Sequence, residues 1–204
     1  MKRKNVIVTM LIMAVFSVGL MKLAKADVTP DIKIDPPSQQ LPETAVGQTF
    51  NISITINNVA DLWAWKVRLN WNPNVLNITS VQEGLFLRSL GNTLFLWPGT
   101  SSPAIIEGYV PEISCYLFTD AGASGNGTLA TLTFKVLATG ESDITINETA
   151  LLSSTTGNPP IQHTDVNGYV TIVPEFPVLL VLLPFMILIA IALIGSKKLR
   201  KHTL

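Results

Sequence analysis

Apolar and polar positions alternate along most of this chain. Phe50, Ile52, Ile54 and Ile56 interleave with Asn51, Ser53, Thr55 and Asn57. Trp63, Trp65, Val67, Leu69 and Trp71 share one face, with Lys66, Arg68 and Asn70 on the other. Ala130, Leu132, Phe134 and Val136 alternate with Leu129, Thr131, Thr133 and Lys135, and the pairs Ile144/Ile146 and Val170/Ile172 repeat the period. A period of two belongs to half-buried strands, and helical spacing holds nowhere for more than about ten residues. Clusters of Pro, Gly and Asn separate the runs: Asn72-Pro73-Asn74, Gly122 to Gly127, Gly157-Asn158-Pro159-Pro160 and Asn167-Gly168. With Thr93–Trp97, Ala104–Val110 and Ile113–Phe118 added, the pattern predicts eight or nine strands. The expected fold is all-β, an antiparallel two-sheet β-sandwich or jelly roll over residues 30–173. Residues 27–45, with Pro30, Pro36, Pro37 and Pro42, read as an extended lead-in in which Ile32 and Ile34 form an edge strand.

The two ends depart from this pattern. Met1-Lys2-Arg3-Lys4, an apolar run from Val6 to Leu20 and Ala24-Lys25-Ala26 have the three parts of a secretory signal helix, residues 1–26, cleaved after Ala26. A retained signal anchor is the alternative, favoured by Lys22 and Lys25. At the other end, residues 174–177 (Pro174-Glu175-Phe176-Pro177) lead into an uncharged run, 178–195, and a basic tail, 196–204. At ~1.5 Å per residue the run predicts a single transmembrane helix, which Pro184 would kink. The basic tail places the C-terminus in the cytoplasm and the middle of the chain at the cell surface. Pro174, Glu175 and Phe176, followed by helix and basic cluster, resemble the archaeal surface-sorting signal read by archaeosortases. That resemblance implies that the helix is exchanged for another anchor.

Charge sharpens the division. The chain has 14 basic and 14 acidic residues, a formal net of zero, with 48% hydrophobic residues and a mean hydropathy of +0.40. Five basic residues and no acidic one lie in 1–26, whereas 27–173 holds five basic and thirteen acidic, a net of −8. The exported part is therefore acidic, which argues against a nucleic-acid partner.

Candidate chemistry is sparse. Cys115 is the sole cysteine, read as a buried small hydrophobe rather than a nucleophile paired with His163. No catalytic set and no cofactor site is expected, although thirteen acidic residues leave room for a glycosidase pair. Asp165 and Asn167, in Asp165-Val166-Asn167-Gly168, are weak calcium-ligand candidates, with a hairpin turn the favoured reading. Trp63, Trp65 and Trp71 have aliphatic companions and belong to a core face. Trp97, beside Pro98-Gly99, is the better candidate for an exposed ligand-binding ring, with Tyr109 and Tyr116 behind it. Four Asn-x-Ser/Thr sequons mark Asn51, Asn77, Asn126 and Asn147 as glycosylation candidates.

Three runs give the middle a more specific likeness. Leu69-Asn70-Trp71-Asn72-Pro73-Asn74-Val75-Leu76, followed by Val81-Gln82-Glu83-Gly84, resembles the cohesin pattern of strand, polar-Pro turn, Val-Leu pair and later Gly. Gly125 to Val136 is similar to the cohesin Gly-x-Leu-Ala-x-Leu-x-Phe-x-Val strand, and Asn167-Gly168-Tyr169-Val170-Thr171-Ile172 to its closing strand. Asn72 departs from the Asp that many cohesins carry before the Pro. The resemblance implies a nine-stranded jelly roll related to carbohydrate-binding modules, without catalytic residues. It also implies docking of a dockerin-like or other surface protein, or of polysaccharide, through one sheet face. A carbohydrate-binding module and a structural cell-envelope subunit are the alternatives.

Overall fold

The computed structural model describes residues 29–175 and 182–189. The first of these stretches carries ten strands and almost no helix. In order they are β1 (Asp31–Asp35), β2 (Ser38–Pro42), β3 (Thr49–Asn70), β4 (Leu76–Glu83), β5 (Thr93–Leu96), β6 (Tyr109–Leu117), β7 (Ala123–Val136), β8 (Gly140–Ser153), β9 (Thr164–Val166) and β10 (Gly168–Val173). Two single-turn helices, α1 (Leu85–Arg88) and α2 (Pro103–Ile106), flank β5.

All ten strands connect through β3, which doubles back on itself. Its first half, 49–57, lies between β1 and β7, and its second half, 62–70, between β6 and β8. Leu62 is opposite both Ala123, where β7 starts, and Ser153, where β8 ends; β7 and β8 thus run in opposite directions, and so do the halves of β3. The result is two layers. The first sheet runs β9-β1-β3-β7-β4 and the second β5-β6-β3-β8-β10-β2.

The strands number nine once broken strands are joined, with β4 in place of the run expected at Ala104–Val110. β1 and β2 are one strand that changes sheet at Pro36-Pro37, β9 and β10 one that changes sheet at Asn167, and β3 is two. The expected lead-in is therefore a component of both layers. Ile32 and Ile34 are completely buried in β1, which lies between β3 and β9 rather than at an edge. Asp165–Gly168 is likewise a crossing and not a hairpin turn. Gly168 passes so close to Ile34 that a Cβ there would fall 2.4 Å from Ile34 Cγ2. The first part of the strand expected at Ala104–Val110 is replaced by α2, because Pro103 suits a first helical turn and Ile105 turns into the core, while Tyr109 and Val110 begin β6.

The core follows the alternation. Ile52, Ile54, Ile56, Leu132, Phe134 and Ile78 from the first sheet meet Trp65, Val67, Leu69 and Trp71 from the second. Phe134 is its centre, stacked on Phe50 at 6.0 Å and met edge-on by Trp71 at 5.5 Å between ring centroids. The Trp71 indole N–H donates to the Leu76 carbonyl at 3.1 Å, so its one polar atom is satisfied inside.

The reversal in β3 is held by side-chain oxygens. Asn58 and Asp61 both adopt left-handed backbone, with φ of 54° and 58°, a conformation Asn and Asp tolerate better than other residues with a side chain. Asn58 N–H donates to Asn126 Oδ1 at 2.6 Å and Asp61 N–H to Ser124 Oγ at 2.9 Å. The Asp61 carboxylate accepts from the Ser153 and Ser154 hydroxyls, both at 2.6 Å, from Ser154 N–H at 3.1 Å and from Gly122 N–H at 2.9 Å. Gly122 packs so closely that a Cβ would sit 2.4 Å from the Asp61 carbonyl carbon. The serine hydrogen bonds, opposed by partial desolvation, hold the Asp61 carboxyl at about 2, below its ordinary 3.8.

Residues 1–26, with the expected cleavage point Ala26, lie outside the described residues, as does most of the expected membrane run 178–195. Residues 182–189 are helical, with exposed Leu182, Leu183, Phe185, Met186, Ile187, Leu188 and Ile189. Among the described residues no helix is long and apolar enough to cross a membrane.

Removing the Asp61 carboxylate leaves four donors without their acceptor. Asp61→Ala should lower the unfolding free energy by about 2–4 kcal/mol, read from urea denaturation at neutral pH. The folded carboxyl titrates below the unfolded one, so its stabilisation is complete above about pH 4 and drains away toward pH 2. Asp61→Asn should flatten that limb of the stability curve. An unchanged midpoint in both variants would show that the reversal is held by other contacts.

Candidate functional site

The outward face of the second sheet is the surface that differs most from ordinary solvent-exposed strand. The registers of β5, β6, β3 and β8 set its side chains in rows. Leu94, Tyr116, Ala64 and Leu152 form the row nearest the reversal, and Leu96, Ser114, Lys66 and Ala150 the next. Arg68 beside Glu148 follows, and Tyr109, Asn70 and Thr145 form the row nearest the end where β10 leaves the sandwich. Leu94 and Leu96 are 43% and 46% exposed, and Phe118 just beyond β6 is 64% exposed.

Chemistry changes along these rows. At the apolar end, the small side chains of Ala64 and Ala150 leave a notch of about 240 Å³ walled by Tyr116, Leu152 and Lys66. Toward the other end, one carboxylate serves two cations: Glu148 meets Lys66 Nζ at 2.6 Å and Arg68 Nη1 at 2.7 Å. The Lys66 hydrogen bond, and then the charges of Arg68 and Lys66, hold the Glu148 carboxyl below its ordinary value against some desolvation. Beyond this pair an open cleft of about 570 Å³ is lined by Arg68, Asn70, Tyr109, Pro111, Asn147 and Glu148. Glu148 reaches this position because β8 bulges between Ile146 and Glu148, where Asn147 has no partner in the ladder.

The aromatic candidates separate. Tyr109 and Tyr116 both lie on this face, Tyr109 at the cleft and Tyr116 at the notch. Trp97 does not: it is half-buried and packed against the core, in phase with the inward Phe95, while Leu94 and Leu96 point out. The expectation that a ring beside Pro98-Gly99 stands free is thus corrected by the alternation of β5 itself. Trp65 and Trp71 are buried, whereas Trp63 follows a register break at Leu62/Ala64 and is only half-buried. Its ring meets Tyr116 edge-on at 6.3 Å and its indole N–H donates to the Thr119 carbonyl at 3.2 Å. The exposed aromatics therefore make no flat strip.

The remaining candidates are engaged internally. Asp165 accepts the Thr149 hydroxyl at 3.0 Å, His163 Nε2 lies 2.6 Å from the same hydroxyl, and Asn167 Oδ1 accepts Ile146 N–H at 2.9 Å. The oxygens considered for calcium thus fasten the last strand to the β8 bulge, a long-range arrangement invisible to local spacing. Cys115 is buried between Trp65 and Phe95 in the ladders, away from this group. Its thiol donates to Glu83 at 3.5 Å, and Glu83 also accepts from Thr93 and Arg88. Burial, and then the Glu83 charge, push the Cys115 thiol up to about 12.

The architecture defines the class of protein, a two-sheet jelly-roll sandwich. Residues 39–172 match the family model of the cohesin domain, and the chain belongs to that family. Among solved structures it is similar to a non-cellulosomal cohesin from the hyperthermophilic archaeon Archaeoglobus fulgidus, at 17% identity and a TM-score of 0.56, covering 72% of this chain and 92% of that one. It is similar also to the seventh ScaB type I cohesin from Pseudobacteroides cellulosolvens, at 20% identity, TM-score 0.56 and coverage of 73% and 95%. A type I cohesin–dockerin complex from Clostridium thermocellum, Coh-OlpA-Doc918, matches at 13% identity, TM-score 0.56 and coverage of 72% and 100%. At these identities the likeness is one of fold. No curated protein matches the chain by sequence.

A thiol so placed is shielded sterically and electrostatically. Iodoacetamide at pH 8 should leave Cys115 unmodified in the native protein and alkylate it completely in 6 M urea, as read by intact mass. Rapid native labelling would contradict the burial.

Proposed function

We propose that this chain is a cell-surface docking module that holds a dockerin-like protein partner against the outward face of β5, β6, β3 and β8. The observation that carries the reading is the apolar notch at Tyr116, set one row from the Lys66–Glu148–Arg68 group on an otherwise regular sheet. A pocket for an aliphatic anchor bordered by charges that fix orientation is the anatomy of a protein interface. The complex from Clostridium thermocellum, in which a cohesin binds a dockerin, supports it by family. No catalytic role is assigned: cohesin domains act by binding, and the Cys115 thiol and the His163 imidazole are engaged inside the fold.

The polysaccharide reading loses its main residue, because Trp97 packs inward. Anchoring belongs to the proposal as well. Signal cleavage after Ala26 would release the exported domain, and the apolar run 178–195, followed by the basic tail 196–204, would hold it at the membrane. Pro174 and Glu175 are described; Glu175 is exposed, and its N–H donates to Glu43 Oε2 at 3.0 Å. The chain thus leaves the last strand at the end opposite the β3 reversal, and an archaeosortase would act on the Pro174-Glu175-Phe176 motif that follows. The notch lies toward the far end, so a partner would be met from outside.

The test is binding of the full chain, in detergent micelles, to a panel of dockerin modules, with a glycan array in parallel. At least one dockerin should bind. Leu94→Arg, at an exposed site, should weaken binding roughly tenfold or more, while Gln82→Ala on the opposite face changes nothing. Blank dockerin panels with retention on glycans would overturn the reading in favour of a carbohydrate-binding module. Ordered self-assembly with neither ligand would favour an envelope subunit.

A further inference from the structure

The four sequons are alike in sequence and unlike in the fold. A sequon is recognised through two groups, the Asn amide that becomes the acceptor and the Ser/Thr hydroxyl two residues on. In two of the four the hydroxyl is already spent. Thr79, which serves Asn77, donates its hydroxyl to the Thr133 carbonyl at 3.0 Å, and Asn77 itself is half-buried. Thr149, which serves Asn147, is held by His163 Nε2 at 2.6 Å and by both Asp165 oxygens at 3.1 and 3.0 Å.

The other two are presented. Asn51 and Asn126 are both exposed, and among the described residues neither Ser53 nor Thr128 makes a side-chain hydrogen bond. Both acceptor amides are also oriented the same way. Asn51 Oδ1 accepts the Thr133 hydroxyl at 2.9 Å and Asn126 Oδ1 accepts Asn58 N–H at 2.6 Å, which leaves each Nδ2 to solvent. An N-glycosidic bond replaces one hydrogen of Nδ2 and leaves Oδ1 free to keep accepting, so modification breaks neither contact. Asn126 and Thr128 both border an open cleft of about 470 Å³ beside Phe86, and Asn51 stands on a first-sheet face of polar side chains in register: Ser53, Thr131, Thr133 and Gln82.

We infer that the folded domain is N-glycosylated at Asn51 and Asn126 and spared at Asn77 and Asn147. The Asn Nδ2 attacks the anomeric carbon of a lipid-phosphate-linked glycan; a C–N bond forms, the C–O bond to phosphate breaks, and the amide proton is lost as the phosphate leaves. The sugars would then cover the first sheet and its rim and leave the second-sheet face clear. The inference concerns acceptor choice alone and stands whether or not that face binds a dockerin.

The experiment is glycopeptide mapping of the full chain from a host that N-glycosylates exported sequons. Occupied Asn51 and Asn126 with bare Asn77 and Asn147 is the expected result. Asn51→Gln and Asn126→Gln should each remove one glycan mass, and the double variant both. The double variant His163→Ala/Asp165→Ala, which frees the Thr149 hydroxyl, should raise occupancy of Asn147. Equal occupancy of all four sites, a glycan at Asn147 in the unaltered chain, or bare Asn51 and Asn126 beside a modified control protein would each overturn the inference.

Discussion

Everything in this sandwich depends on one tight reversal, residues 58–61, where β3 leaves one sheet and enters the other. Two layers need strands that can pass between them, and β3 does so while also reversing direction within four residues, with left-handed backbone at Asn58 and Asp61. Such backbone persists only when its surroundings over-determine it. Asp61 supplies that determination by binding the start of β7 and the end of β8 at once. Four strand segments therefore converge on one carboxylate. A charged acceptor suits the task because bonds to an ionised oxygen are stronger than neutral ones, and half-burial avoids the full cost of desolvating it.

From that joint the candidate face follows by register. Once 62–70 is the central strand of the second sheet, alternation sends Trp65, Val67 and Leu69 inward, and Ala64, Lys66 and Arg68 outward. The outward set is then aligned with Tyr116 and Ser114 on one side and Leu152, Ala150 and Glu148 on the other. The notch exists because two alanines, Ala64 and Ala150, lie diagonally across the ladder in adjacent rows, and the charged group because the β8 bulge displaces Glu148 toward Arg68. The hydrogen bonds from Asn167, Asp165 and His163 secure that bulge from behind, so residues without ligand-binding geometry of their own still shape the face.

The layers were legible in the sequence where a strand buries one side only. The alternation at 50–56, 65–71 and 129–136 maps onto the core almost residue for residue. Three features were not legible, each for a physical reason. A period of two does not reveal that one run serves both sheets, so β1–β2 and β9–β10 read as a lead-in and a turn. A bulge resets the period, so Trp63 seemed to belong with Trp65 and Trp71. Short apolar runs such as Ala104–Val110 are ambiguous between strand and helix, and Pro103 decides in favour of a helical turn. Of the aromatic residues singled out in the sequence, Tyr109 and Tyr116 lie on the outward face, while Trp97 was misplaced by the turn beside it. Leu94, Lys66, Arg68 and Glu148 were missed, because an exposed Leu or a charged strand residue has no local signature until the register across four strands is known.

The distribution of charge gives the face its character. Residues 27–173 carry a net −8, and on this face Lys66 and Arg68 stand among Glu148 and Glu112, which accepts the Ser114 hydroxyl at 3.0 Å, with Glu141 and Asp143 farther along β8. Long-range steering therefore comes from the acidic body as a whole and favours a partner that is not itself acidic overall. What the charges can do is discriminate. Glu148 is shared by two cations and is exposed enough for the pairs to be weak, so a partner carboxylate can compete for Lys66 or Arg68 at small cost. A partner lacking one would leave Lys66 and Arg68 sharing the single Glu148 carboxylate once water is excluded, which costs more than on the hydrated face. Affinity would then rest on the leucines and the alanine-floored notch, and selectivity on whether the partner presents an acidic group one row away.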